Sequence, residues 1–90
     1  MKDLTSRQAA AMIDISTVRT QHDFQDIEKA VEYAKRYHFI NVHALPCWVR
    51  KLSEMLRDVD DVYVGAPVGF PSGAHKTSVK IMEAEQLLED

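Results

Sequence analysis

Residues 65–80 read GAPVGFPSGAHKTSVK, and this stretch decides the fold. Three glycines, Gly65, Gly69 and Gly73, fall four apart, and Lys76-Thr77 follows them. A phosphate-cradling P-loop needs Gly, four residues, then Gly-Lys-Ser/Thr, so that backbone N–H groups and the lysine converge on the phosphates. Here three residues separate Gly69 from Gly73, and Ala74-His75 intervene before Lys76. The spacing fails. A dinucleotide fingerprint fails too, because the stretch has no Gly-x-Gly pair. A mechanical reading remains, in which a strand runs into a helix through a turn. Gly69 ends the strand, Pro71 fixes a bend and removes a donor, and Gly73 permits a positive φ before the helix. Parallel α/β folds bind ligands at the C-terminal ends of their strands. The turn is therefore expected to shape a site rim without supplying chemistry.

Working outward, the chain alternates. Apolar β-type runs occur at 11–15 (AMIDI), 39–45 (FINVHAL) and 62–68 (VYVGAPV). A helical stripe of Phe24, Ile27, Val31 and Ala34 predicts a helix from about Asp23 to Tyr37. Thr20 or Asp23 can cap its start. A second helix is predicted to begin near Pro46, where a missing N–H costs nothing. It continues through Val49, Leu52 and Leu56 and stops at the acidic turn 58–61. A third is predicted from about Lys76 to the end, with Val79, Met82 and Leu87 on one side, and a short opening helix around Leu4–Ala9. The order is a helix followed by three β-α units, which predicts an α/β fold with a parallel sheet. Continuous apolar strand runs imply that both sheet faces are covered. Pro67 inside the third run removes a ladder donor and is read as a local kink.

Ninety residues make at most one small domain. The 46% hydrophobic content fits a globular chain. Eleven Lys and Arg are scattered among fourteen Asp and Glu, for a net charge of −3. That balance carries no basic stripe, so nucleic acid is not an expected partner, and neither is a membrane. One cysteine, Cys47, allows no internal disulfide and no thiol metal cluster. The N-terminus lacks the apolar core of a signal peptide, and no run approaches a membrane span. The expected location is cytoplasmic. Three parallel strands would leave two open edges, so the chain reads either as the first part of a larger α/β protein or as a self-associating unit.

Three pieces carry a resemblance. The string VGFPSGAHKTSVKIMEAEQLLED resembles the third strand, Gly-Phe-Pro-x-Gly turn and following helix of the deoxyribose-phosphate aldolase family. Met12-Ile13-Asp14-Ile15-Ser16 is similar to its first strand, an apolar-Asp-x-Thr pattern. Val42-His43-Ala44-Leu45-Pro46 is similar to its second, which usually reads Val-Cys-Val-x-Pro. The resemblance covers nearly the whole chain and about the first third of a typical family member. It implies an α/β fold made of the first three βα units of a TIM (β/α)8 barrel, preceded by a short N-terminal helix. Residues 1–90 would be a single partial barrel domain, an N-terminal fragment. It also implies a class I aldolase, a lyase of carbohydrate and deoxyribonucleotide breakdown that uses a lysine Schiff base and needs no metal or other cofactor. The substrate would be a small phosphosugar or aldehyde, and the assembly a homo-oligomer.

On that resemblance Asp14 is a catalytic-site carboxylate that orients substrate hydroxyls or relays a proton. From the residues alone, it is a charge in an apolar strand, which is costly unless paired or used, or else a strand-end turn cap. Ser16 points to the same side as Asp14 and keeps the hydroxyl of the family's threonine, so it is a candidate substrate contact or a turn cap. His43 stands where the family often has a pocket cysteine, and reads either as a core histidine or as a substrate-binding residue. Leu45 departs from a position that is often polar, which leaves the sugar open. Cys47 reads as a helix-start residue. Lys76 and Lys80 match no Schiff-base lysine, which in the family resembles a residue on a much later strand, and read as a solvated helix face. His75 reads as loop surface, and Trp48, Tyr33 and Tyr37 as packing residues.

Overall fold

A computed structural model describes residues 3–90. The elements run α1 (Ser6–Ala10), β1 (Asp14–Thr17), α2 (Phe24–Tyr37), β2 (Asn41–Ala44), a 3-10 turn (Pro46–Trp48), α3 (Val49–Met55), β3 (Tyr63–Gly65) and α4 (Thr77–Glu89). Every predicted element exists, and the helix ends follow local chemistry. α1 opens on a capping box: Thr5 Oγ1 accepts the Gln8 N–H at 3.1 Å and Gln8 Oε1 accepts the Thr5 N–H at 2.9 Å. At α2 the cap is Asp23, whose Oδ1 accepts the N–H groups of Gln25 and Asp26 at 3.0 and 3.2 Å. Asp26 Oδ2 returns the bond to the Asp23 N–H at 2.8 Å. α2 ends where His38 turns into the left-handed region at φ 58°. The His38 Nδ1 meets Asp61 Oδ2 at 2.8 Å, tying the end of α2 to the segment before β3. Pro46 heads the 3-10 turn that leads into α3.

The three strands are parallel and lie in the order β1-β2-β3. In register, Asp14 pairs with Asn41 and Asn41 in turn with Tyr63, while Ser16 pairs with His43 and His43 with Gly65. Consecutive strands that are also neighbours, each joined by a right-handed crossover, put every connecting helix on one face. α2 accordingly packs on β1 and β2, and α3 on β3. Between them lies the core: Ile27, Ala30, Val31 and Ala34 of α2, Val42 and Ala44 of β2, Leu52 and Leu56 of the α3 segment, and Val62. Ile27, Val42 and Leu52 are completely buried. Each such side chain contributes roughly 1.5–3 kcal/mol by leaving water.

Three expectations need correction. Among the described residues α2 and α3 cover one sheet face only, and Asp14, Ser16 and Tyr63 on the other are exposed. The strands are shorter than the apolar runs: β3 stops at Gly65, so Pro67 and Gly69 lie in the following loop, and Pro67 removes no ladder bond. Val79 and Met82 of α4 are 51% and 59% exposed and bury no stripe. α4 stands off the sheet, with a cleft of about 410 Å³ lined by Val49, Ser53, Val64, Ala84 and Leu87 beneath it. The aromatic residues pack as expected: Tyr33 stacks on Tyr37 at 6.4 Å, Tyr37 meets Phe39 at 5.8 Å, and Trp48 lies against Phe24 at 6.4 Å, although both tyrosines stay half-exposed.

Candidate active site

The bare face is where the chemistry-bearing side chains gather. A strand alternates its side chains, so Ile15, Thr17, Val42 and Ala44 turn to the helices while Asp14, Ser16, Asn41 and His43 turn to the open face. Register sorts these into two layers. Asp14, Asn41 and Tyr63 form the lower one. Ser16, His43 and Gly65 form the upper one, next to the C-terminal ends of the strands. Thr17 holds that end together: its Oγ1 donates to the His43 carbonyl at 3.2 Å, linking β1 to β2. Its burial is explained by this bond.

Asp14 is exposed on this face. Its charge is not buried, as the apolar run had implied: Asp14 starts the strand and faces outward from the helix layer, so it needs no buried partner. Ser16 is likewise exposed, two residues on and one layer up. His43 is half-buried. Its ring lies across Gly65, where an added Cβ would stand 2.6 Å from His43 Cε1 and 2.7 Å from Asn41 Oδ1. Gly65 therefore lacks a side chain because two polar side chains from β2 already fill its place. Asn41 Oδ1 is buried with no hydrogen-bond partner. An unpaired buried acceptor beside a titratable ring is a feature of sites more than of cores. Sequence reasoning passed over Asn41, although it precedes His43 by two and so shares its face.

The β3–α4 loop rises above the upper layer. Gly69 and Gly73 take φ 69° and 72°, and the Gly73 N–H donates to the Gly69 carbonyl at 2.6 Å. Gly69's N–H donates to Glu83 Oε1 at 2.7 Å, and Lys80 Nζ donates to the Gly73 carbonyl at 2.9 Å. Lys80 is thus not a solvated-face lysine, although Lys76 and His75 are exposed as expected. Cys47 is exposed at the 3-10 turn. Among the described residues, no group of three or more His, Cys, Asp or Glu side chains is placed to hold a metal ion, and no helix is long and apolar enough to cross a membrane.

A singly wound parallel sheet with its connecting helices outside and polar residues on its inner face is a segment of a (β/α)8 barrel, here three successive βα units. A solved structure from Coccidioides immitis shares this fold with a TM-score of 0.89 at 24% identity, matching 99% of this chain and 35% of that one. Sequence comparison is more specific. The chain is 41% identical over 88 residues to a deoxyribose-phosphate aldolase of Klebsiella pneumoniae and 44% identical over 86 residues to that of Sinorhizobium medicae, in each case covering 96% of this chain. The tetrameric deoxyribose-phosphate aldolase of Aeropyrum pernix superposes with a TM-score of 0.85 at 25% identity, over 94% of this chain and 36% of that one. No protein-family model matches. The chain spans 35% of the length of the two curated relatives. The resemblance to the deoxyribose-phosphate aldolase family, stated from three motifs, is thus shown in both sequence and fold.

Proposed function

We propose that this chain supplies the first three βα units, as one partial domain over residues 1–90, of a cytoplasmic class I aldolase. The reaction is reversible cleavage of 2-deoxyribose 5-phosphate to glyceraldehyde 3-phosphate and acetaldehyde. The observation that carries the reading is the polar row Asp14, Ser16, Asn41 and His43 on the open inner face, in a chain 41% identical to such an aldolase. In this chemistry a lysine amine condenses with the aldehyde and releases water, and the resulting iminium draws electrons from the adjacent carbon so that its proton leaves. The lysine belongs to a later strand of the barrel; Lys76 and Lys80 sit at the start of α4 and do not point from a strand.

Within this segment Asp14 moves the proton or orients a sugar hydroxyl, since a carboxylate can do either. Ser16 donates to or accepts from a substrate hydroxyl. His43 contacts the substrate from the upper layer in place of a thiol. No residue of the chain is assigned to a metal or cofactor. Alone, the 90 residues have no retro-aldol turnover, because the reacting amine is missing. The test is a chimera in which residues 1–90 replace the matched segment of the Klebsiella pneumoniae relative. Cleavage of 2-deoxyribose 5-phosphate by the chimera supports the reading. A folded chimera without turnover, or robust turnover by the 90-residue chain alone, overturns it.

The bare sheet face and the free edges of β1 and β3 favour a second reading, a non-catalytic partial barrel that self-associates. Edges with unpaired N–H and C=O groups are templates for pairing, and closure removes them. Light scattering on the purified chain distinguishes the two: a monodisperse, folded monomer argues against self-association. The tetramer formed by the Aeropyrum pernix relative is in keeping with a homo-oligomer for the whole barrel.

A further inference from the structure

We propose that Glu83 and Lys80 are positioning residues that latch the Gly69–Gly73 turn in place at the C-terminal end of β3. The proposal rests on the reading of that end as the site. The segment between β3 and α4, residues 66–76, contains neither helix nor strand. Two of its glycines hold positive φ. Glycine loses more backbone freedom on ordering than any other residue, so a fixed conformation here needs a restraint from outside the loop.

α4 provides it. Lys80 and Glu83 are three residues apart and lie on one helix face. Glu83 Oε1 takes the N–H of the first glycine at 2.7 Å, and Lys80 Nζ gives a hydrogen bond to the carbonyl of the second at 2.9 Å. Donor and acceptor at the two ends of the turn are each met by the side chain of matching charge. Such charge-assisted bonds are roughly twice as strong as neutral ones. The Lys80 stem also crosses Gly69 closely: an added Cβ there would stand 2.9 Å from Lys80 Cδ. Gly69 is therefore glycine for two reasons, its φ and this approach. Phe70 and Pro71 stand between the anchored glycines, and Phe70 is 42% exposed. The latch fixes where that ring is presented.

Amide hydrogen exchange on the 90-residue chain tests this. With Glu83→Ala, the Gly69 amide exchanges at least about tenfold faster, in line with loss of a hydrogen bond to a charged acceptor. With Glu83→Gln, which keeps an oxygen acceptor but loses the charge, its exchange falls between those of wild type and Glu83→Ala. The amides of Val31 and Val42 are unchanged in both. The proposal is overturned if Glu83→Ala leaves Gly69 exchange unaltered, or if Gln behaves as Ala does. It is equally overturned if Val31 and Val42 lose protection along with Gly69, because Glu83 would then bear the fold instead of placing the loop. In the chimera, Glu83→Ala lowers kcat/KM and Glu83→Gln restores it in part. An inactive chimera would fail the aldolase reading while leaving the exchange result to judge the latch.

Discussion

Gly65→Ala probes the contact at the centre of the inner face. The backbone at Gly65 does not require positive φ, so alanine is conformationally allowed. On backbone grounds alone the change stabilises by about 0.4–1 kcal/mol, because alanine restricts the unfolded chain. Against this, the new Cβ meets His43 Cε1 at 2.6 Å and Asn41 Oδ1 at 2.7 Å. Overpacking of this kind costs about 1–3 kcal/mol. The face is open, so both side chains can swing aside, and a cost of about 1.5–2 kcal/mol, in the lower half of that range, applies. The net expectation is a loss of about 0.5–1.5 kcal/mol. In a domain of this size a loss of 1 kcal/mol lowers Tm by about 4–8 °C. Urea unfolding of wild type, Gly65→Ala, His43→Ala and the double variant measures it. In the His43→Ala background the cost of Gly65→Ala falls by about 0.5–1 kcal/mol, the coupling expected of residues in contact. If Gly65→Ala costs the same with and without the imidazole, or stabilises the wild type outright, the assignment of that space to His43 is wrong.

Asp23→Ala removes the acceptor for two amides at the start of α2 and lowers stability by about 1 kcal/mol, read from the urea midpoint. Two carboxylates predict an acid response. Asp26 is held below the ordinary carboxylate range, chiefly by the N–H of Asp23, and Asp58 is held below it, chiefly by its hydrogen bond to Lys35. A depressed folded-state pKa means that the carboxylate's contribution is present above the unfolded value near 3.8 and is lost as pH falls through the folded one. Urea midpoints should therefore drop below about pH 4, and Lys35→Met should diminish the Asp58 part, as followed by carboxyl NMR, leaving what the backbone N–H of Asp58 supplies. Asp14→Asn should leave the unfolding midpoint of the chain within about 0.5 kcal/mol, as for an exposed position. In the chimera the same change should reduce cleavage at least about a hundredfold, the scale of proton-transfer catalysis; an unchanged rate would remove Asp14 from the site.

The amino-acid sequence was enough to place the elements in order. The stripe Ile27-Val31-Ala34, the cap Asp23, the helix-start Pro46 and the glycine spacing act within a few residues of chain, and each holds whatever surrounds it. It also carried the family resemblance, since motif spacing survives without coordinates. It did not determine which side of each strand is covered. Apolar runs at 39–45 and 62–68 look alike whether one face or two are packed, and only the singly wound order β1-β2-β3 puts the connecting helices α2 and α3 on one side. That order leaves Asp14 exposed and α4 unburied, contrary to a reading by hydrophobicity alone. Tertiary structure alone also decided the partners: Asn41 and His43 converging on the space of Gly65, and Glu83 and Lys80 reaching back to the glycine turn. Contacts such as these depend on strand register and on the path of a loop, which are set by packing between segments far apart in the chain.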